Sequence, residues 1–400
     1  MKNGSNYTHY CTIPFVTSNR QIIRVKIREQ RGLDRQKSAN IYFIFTISAK
    51  RIFMERKLAS VQKIWKIEPI EGADRIEVVS VLGWKCVAKK GEFKVGNPCV
   101  YFEVDSFLPI HPKFEFLRAS CYKKNDLMGE GFLLRTQRFR GQVSQGLVLP
   151  LSILLDFGRG VVSTEDDVTD LIGVRKWSTP EVATGSGTAI GPTPYGIPKT
   201  DEIRVQAAPT LIEEFKGVPY YISTKMDGTS VTMYHINGKF GVCGRNYEYA
   251  DDDKSPFWKF VHHRGIDCKI KEGMAALNLT SVAVQGEFCG EGIQKNRLKL
   301  FEPEWFVFTI IDMNTHRRIG LFDMQKFCLA ADLSYVPIEE IGEQLPYTTV
   351  EALIERARGK YASGNDKEGI VIRPQEPIYS HITEGPLSMK VINNDYLLKR

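Results

Sequence analysis

Between residues 58 and 155 the hydrophobic positions come in short, closely spaced runs. Ala59 to Lys66 and Arg75 to Val81 alternate with polar residues or run apolar with β-branched residues. Gly72-Ala73-Asp74, Leu82-Gly83, Lys90-Gly91 and Val95-Gly96-Asn97-Pro98 punctuate them as turns. Cys86 to Ala88, Cys99 to Phe102, Gly131 to Arg135 and Gly146 to Leu149 supply further strands. Five or six short strands in so little chain predict a small closed barrel. From Trp177 to Thr200 the chain turns rich in Gly, Pro, Ser and Thr, the composition of a linker. Beyond it, apolar runs at 219–224, 229–235, 282–288, 305–312, 369–373 and 387–392 read as strands. Val350 to Tyr361 has helical periodicity, with Val350, Leu353, Ile354, Ala357 and Tyr361 on one face and a Thr348/Glu351 capping box. The pattern is α+β. It divides the chain into an extension (1–57), a barrel domain (58–173), a linker (174–200) and a second domain (201–400), with no internal repeat.

Composition changes this picture in two places. The net charge of +7 is carried by the first 57 residues, which alone hold +9; the remaining chain is close to neutral. That extension reads as a nucleic-acid-binding arm, a transit peptide, or a leader ahead of a start at Met54. The eight cysteines (11, 86, 99, 121, 243, 268, 289 and 328) include no C-x-x-C pair. This argues against a zinc site or disulfide framework and for an intracellular, reducing compartment. The longest apolar run, Ile41 to Ile47, is too short to span a bilayer.

The candidate chemistry lies in the second domain. Lys225-Met226-Asp227-Gly228 joins two strand-like segments and places an amine at a turn. Val284 to Phe288 adds Glu287, Lys367 to Arg373 adds Glu368, and Ser388 to Val391 adds Lys390. Lysine is a poor nucleophile near its ordinary pKa, and burial or a neighbouring cation activates it. Lys390 is the expected neighbour. Attack of Lys225 on the α-phosphorus of ATP would form a lysyl-adenylate. Asp227, Glu287 and Glu368 offer hard oxygen ligands for Mg²⁺ or Mn²⁺, through water, with one of them left for the ribose. Arg245 offers a fixed cation, and Phe306 or Phe308 a face for a purine. On the barrel, Lys85, Lys89, Lys90, Arg135, Arg138 and Arg140 are candidate nucleic-acid contacts. Singly, each has a plain structural reading: a surface turn, a core phenylalanine, a solvated basic rim. Six segments in one order are what separate the catalytic reading from those.

The ordered set K-M-D-G, G-R-N, Q-G-E-F, W-F-V-F-T-I, K-E-G-I-V-I-R and L-S-M-K-V resembles the covalent nucleotidyltransferases. The closest resemblance is to ATP-dependent RNA ligases with an OB domain ahead of the catalytic domain. The segment I-E-P-I-E-G-A-D-R-I-E-V-V-S-V resembles the OB folds of tRNA-binding modules. The resemblance implies an adenylated Lys225, Glu287 on the ribose, Phe306 on adenine, and Arg245, Glu368 and Lys390 serving phosphate and metal. Arg204 would touch phosphate or nucleic acid. It implies ATP and Mg²⁺ or Mn²⁺ as cofactors, an RNA or RNA-containing nicked duplex as partner, and a monomer. Many relatives carry K-x-K in the last motif, whereas here Lys390 stands alone. DNA ligases and capping enzymes place an OB domain after that motif, and here the chain ends ten residues beyond Lys390. The alternatives are a DNA ligase or other nucleotidyltransferase, and a non-catalytic OB-fold RNA-binding protein.

Overall fold

A computed structural model describes residues 10–16, 22–28, 56–178 and 187–399. The chain divides into a unit spanning Met1–Arg51 and a second spanning Ile52–Arg400. In the first, Tyr10–Val16 and Ile22–Arg28 pair antiparallel, with Tyr10 opposite Arg28. The second contains both the barrel and the α+β region.

The front of the second unit is a curled sheet in the order Leu147–Pro150, Pro98–Phe102, Ala59–Pro69, Ile76–Val81, Trp84–Lys89. Its curl comes from one long strand. Residues 59–63 pair with 98–102, and after a register shift between Ile64 and Lys66 the rest pairs with 77–81. Such a bulge bends a strand, so one strand serves two ladders. Ile64, Val79, Trp84 and Tyr101 fill the curl. Among the described residues the two end strands of this sheet share no ladder. The segment just before Leu147–Pro150 bonds to Trp84–Lys89, with Gln145 N–H donating to the Lys85 carbonyl at 2.8 Å and Val87 N–H to Ser144 Oγ at 2.9 Å. A hairpin, Gln137–Phe139 against Gln142–Ser144, leads into that seam.

Within the stretch expected as a linker, Ala189–Pro192 forms a strand against Tyr247–Tyr249. It edges a seven-stranded sheet that includes Thr229–Ile236, Val282–Cys289 and Glu304–Asp312. The helices Pro256–Arg264, Ile266–Ala276 and Leu321–Ala330 pack on it through Phe257, Phe260, Ile270, Met274 and Phe327. A five-stranded sheet lies beside it, in the order Ile203–Arg204, Met389–Ile392, Gly369–Pro374, Tyr220–Lys225, Ile338–Gly342. Tyr220–Lys225 belongs to the five-stranded sheet and Thr229–Ile236 to the seven-stranded one. The turn 226–228 is thus the crossover between sheets, and the crevice opens there. Gly228 is required at that crossing, since a Cβ would lie 2.4 Å from the Phe288 carbonyl oxygen.

The helix expected from Val350 to Tyr361 is shorter, Val350–Arg356, and its cap is Thr349, whose Oγ1 accepts from Ala352 N–H at 3.2 Å. Thr348 is not the cap. The chain leaves the helix before Gly359, whose φ of +139° an L side chain rarely adopts. Tyr361 is therefore released from the helical face for another task.

Candidate active site

Lys225 is the last residue of its strand, opposite Gly369 in the ladder. Its Nζ donates to Glu368 Oε2 at 2.8 Å, and its side chain is 23% exposed at the crevice. Glu368 and Lys367 are adjacent, and adjacent residues in extended chain face opposite ways. Lys367 turns inward to both oxygens of Glu339, at 2.6 and 2.7 Å. Glu339 also accepts from Thr224 and Arg356. Of the pair, only Glu368 faces the nucleophile.

Glu287 reaches the same turn from the neighbouring sheet: Gly228 N–H donates to its Oε1 at 3.1 Å. Asp227 is held from two directions. Tyr396 OH donates to Oδ1 at 2.9 Å, and Arg297 Nε lies 3.3 Å from Oδ2. Lys390 stands beside Arg204 and Val371 in the five-stranded sheet. Phe306, opposite Glu287, and Phe308 are half-buried with Met226, Val336 and Tyr361. That is an apolar wall next to the nucleophile. The structure therefore brings Lys225, Asp227, Glu287, Glu368, Phe306 and Lys390 into one crevice.

The charges follow from this arrangement. Burial pushes the Lys225 amine down, but Glu368, Glu287 and Asp227 more than offset it, and its pKa is raised. Lys390 is the expected cationic neighbour, close enough for the charge of Lys225 to lower it, while the carboxylates around Lys225 pull its amine the other way. Lys390 is the depressed lysine, moved to about 8 by burial and by the charges of Lys225 and Arg204. Glu287 is pushed up to about 7 by burial, with Glu368 and Asp227 adding to the shift against Lys225. Asp227 is raised by burial and by Glu368, against Tyr396 and Arg297. Three carboxylates share this space, and crowded negative charge is what a cation relieves. Among the described residues no three His, Cys, Asp or Glu side chains converge as a ready-made metal cage. The donor set suits a hard divalent ion held through waters and phosphate oxygens rather than a closed protein site.

Two expected phosphate ligands are differently placed. Arg245 is exposed and gripped by Asp201, its Nη2 donating to both oxygens at 2.9 and 2.7 Å. Burial would raise Asp201, but Arg245, Lys390 and Lys176 hold it below the usual carboxylate range. Arg204 is largely buried, donates to Asp105 Oδ2 at 3.1 Å and lies 5.9 Å over the Trp84 ring. Both partners are in the OB domain, so Arg204 ties that domain to the strand beside Lys390. Of the OB candidates, Lys85 lies 3.9 Å from Glu68 and 3.6 Å from Glu351, at the domain junction. Lys89, Lys90, Arg135, Arg138 and Arg140 are exposed. Arg138 and Arg140 ride the hairpin, and Arg138 lies 4.0 Å from Asp395.

Sequence reasoning missed three side chains. The Tyr361 hydroxyl donates to the Lys225 carbonyl at 2.7 Å and accepts from Glu368 N–H at 3.0 Å. It clamps the nucleophile to its partner, yet in sequence it matched only a helical face. Arg297 lies in a loop without periodicity, and Tyr396 lies beyond the last motif. The one available signal was Tyr361's position seven residues before Glu368.

A family model described as an OB-fold domain matches residues 58–151, and one described as RNA ligase matches residues 218–392. Among curated proteins none matches this chain. Solved structures do. The Naegleria gruberi RNA ligase with pyrophosphate is 35% identical, with a TM-score of 0.76, covering 86% of this chain and 99% of that one. A variant of that ligase with AMP and Mn matches at 34% identity over 86% and 99%, TM-score 0.76. Another variant, with ATP and Mn, matches equally at 34%, 86%, 99% and 0.76.

Proposed function

We propose, from the premise that this chain belongs to the RNA ligase family, that Lys225 carries AMP as a covalent intermediate on the way to sealing RNA. The chain is an ATP-dependent RNA ligase, with ATP and a divalent metal as cofactors. The observation that carries the Lys225 assignment is its amine at the sheet crossover, 2.8 Å from Glu368 and flanked by Glu287 and Asp227.

The uncharged Lys225 amine attacks the α-phosphorus of ATP. The N–P bond forms, the bond to the bridging oxygen breaks, and pyrophosphate leaves. The adenylate then passes to the 5′-phosphate of one RNA end. The 3′-hydroxyl of the other end attacks that phosphate and expels AMP. Lys390 faces the phosphates, Arg245 reaches them by giving up its ion pair with Asp201, and Phe306 supplies the purine wall. Glu287 serves the ribose or the metal. Asp227, Glu287 and Glu368 would hold Mg²⁺ or Mn²⁺ through water, and the ion would supply positive charge to the transition state and offset the carboxylates around Lys225.

The partner in this reading is an RNA-containing nicked duplex, gripped by Lys89, Arg135, Arg138 and Arg140 on the OB face, and the enzyme acts as a monomer. Lys85, half-exposed at the junction, contributes to that face. Residues 58–173 and 201–400 are its two working parts. Among the described residues no helix is long and apolar enough to cross a membrane. The seven described cysteines are free thiols, which supports a reducing intracellular compartment. Incubation with α-labelled ATP and Mg²⁺, then a denaturing gel, tests the covalent step. Wild type takes label and Lys225→Ala does not; label on the variant would move the nucleophile elsewhere.

A further inference from the structure

Asp227 follows the nucleophile by two residues, on the turn that crosses between the sheets. The residue is 8% exposed, and groups from outside both strands hold its carboxylate. Tyr396, on the helix Asn394–Leu398, donates its hydroxyl to Oδ1 at 2.9 Å. Arg297 approaches Oδ2 at 3.3 Å, and its guanidinium carbon lies 4.5 Å over the Tyr396 ring. The two groups therefore brace each other: a planar cation on an aromatic face, one ion-paired with and the other hydrogen-bonded to the same carboxylate. Each oxygen of Asp227 keeps further acceptor capacity for water.

The clamp is itself anchored. Asn393 caps the short helix, accepting from Asp395 N–H, and its amide donates to the Lys367 carbonyl at 3.1 Å. Asn393 N–H donates to the Glu368 carbonyl at 2.9 Å. Gln145, buried in the OB domain, donates to Asn394 Oδ1 at 3.2 Å. Arg297 is secured through its carbonyl, which accepts from Ser363 and from Asn365. The last helix thus touches the OB seam, the Glu368 backbone and the nucleophile turn.

We propose that Arg297 and Tyr396 are positioning residues for lysine adenylation, acting through Asp227 to hold the 225–228 turn in its reactive geometry. This rests on the reading of Lys225 as the adenylated residue. Small misplacement of a reacting group is costly in rate, whereas the loss of one hydrogen bond is modest in stability. A positioning role therefore predicts a rate defect larger than any folding defect.

The test uses the full chain with ATP and Mg²⁺. Tyr396→Phe keeps the ring beneath Arg297 and removes only the hydroxyl. Its single-turnover rate of self-adenylation at saturating ATP should fall about tenfold, with half-saturating ATP and thermal midpoint unchanged. Arg297→Lys should retain more rate than Arg297→Ala. A Tyr396→Phe rate within twofold of wild type overturns the proposal. So does a rate loss accompanied by a lowered midpoint and reduced labelled fraction, which would mark a purely structural contact. Lys225→Ala runs alongside. Label on that variant defeats the adenylation reading itself, whereas an unlabelled Lys225→Ala with an unimpaired Tyr396→Phe defeats only this inference.

Discussion

Replacing Tyr361 by Phe isolates a single oxygen that joins the nucleophile to its partner. The ring stays in the apolar cluster with Met226, Val336 and Phe306. The hydroxyl's two bonds are lost, one to the Lys225 carbonyl at 2.7 Å and one from Glu368 N–H at 3.0 Å. Each stranded, largely buried backbone group costs on the order of 1 kcal/mol or more, so the substitution should destabilise by about 2 kcal/mol. For a domain of this size that lowers the thermal midpoint by roughly 4–8 °C. The kinetic effect follows from where the loss falls. Beyond the ladder that pairs Lys225 with Gly369, Tyr361 ties the Lys225 carbonyl to the Glu368 amide, so the slack appears between the amine and Oε2. A tenfold fall in self-adenylation, about 1.4 kcal/mol of barrier, is expected. Thermal unfolding followed by circular dichroism and single-turnover labelling with α-labelled ATP measure the two effects separately. A variant that unfolds 4–8 °C earlier yet labels at the wild-type rate would show that the hydroxyl supports the fold and not the reaction. An unchanged midpoint with an unchanged rate would refute both halves of the reasoning.

Lys390, held near 8 by burial and by its cationic neighbours, should make ATP binding weaken as pH rises through about 8; Lys390→Arg, which stays charged, should shift that alkaline loss upward in a pH series of ATP affinities. The same depressed folded-state value means the unfolded chain binds the proton more tightly, so this lysine opposes folding at neutral pH and the penalty fades between about 8 and the ordinary lysine value. Lys390→Met should accordingly raise the thermal midpoint at pH 7 while abolishing label uptake. Glu202 accepts from Arg373 at 2.6 Å and lies 3.5 Å from Arg318; Glu202→Gln leaves two buried guanidiniums uncompensated and should cost about 3–5 kcal/mol, read as a large drop in urea midpoint. Removing the charges of Arg138 and Arg140 together should leave self-adenylation intact while weakening nick binding and flattening its salt dependence by about two phosphate contacts, measured by titration at several salt concentrations.

What was legible in the sequence is what depends on local order. Apolar alternation marked the strands at 219–224, 229–235, 282–288 and 369–373, because a half-buried strand must alternate or run apolar wherever it lies. The turn Lys225-Met226-Asp227-Gly228 and its companions at Glu287, Glu368 and Lys390 were legible because each sits on or at the end of such a strand, and strand ends carry chemistry into a crevice. Sequence could not say which lysine has its pKa lowered. The apolar surroundings of Lys225 and Lys390 look alike in sequence, but the three carboxylates converge on Lys225 while Arg204 stands beside Lys390, and a pKa is set by charges in space. Glu368 was legible from its motif, but the task of its neighbour was not: Lys367 turns inward to Glu339 while Glu368 meets the amine. Tyr361 read as a helical residue until Gly359 turned the chain away and delivered its hydroxyl to Lys225. Arg297 and Tyr396 carry no periodic signal, since one comes from an irregular loop and the other from a five-residue helix. Their convergence on Asp227 is decided by how the two sheets, the last helix and the OB seam pack together, and long-range packing of that kind leaves no spacing in the chain to read.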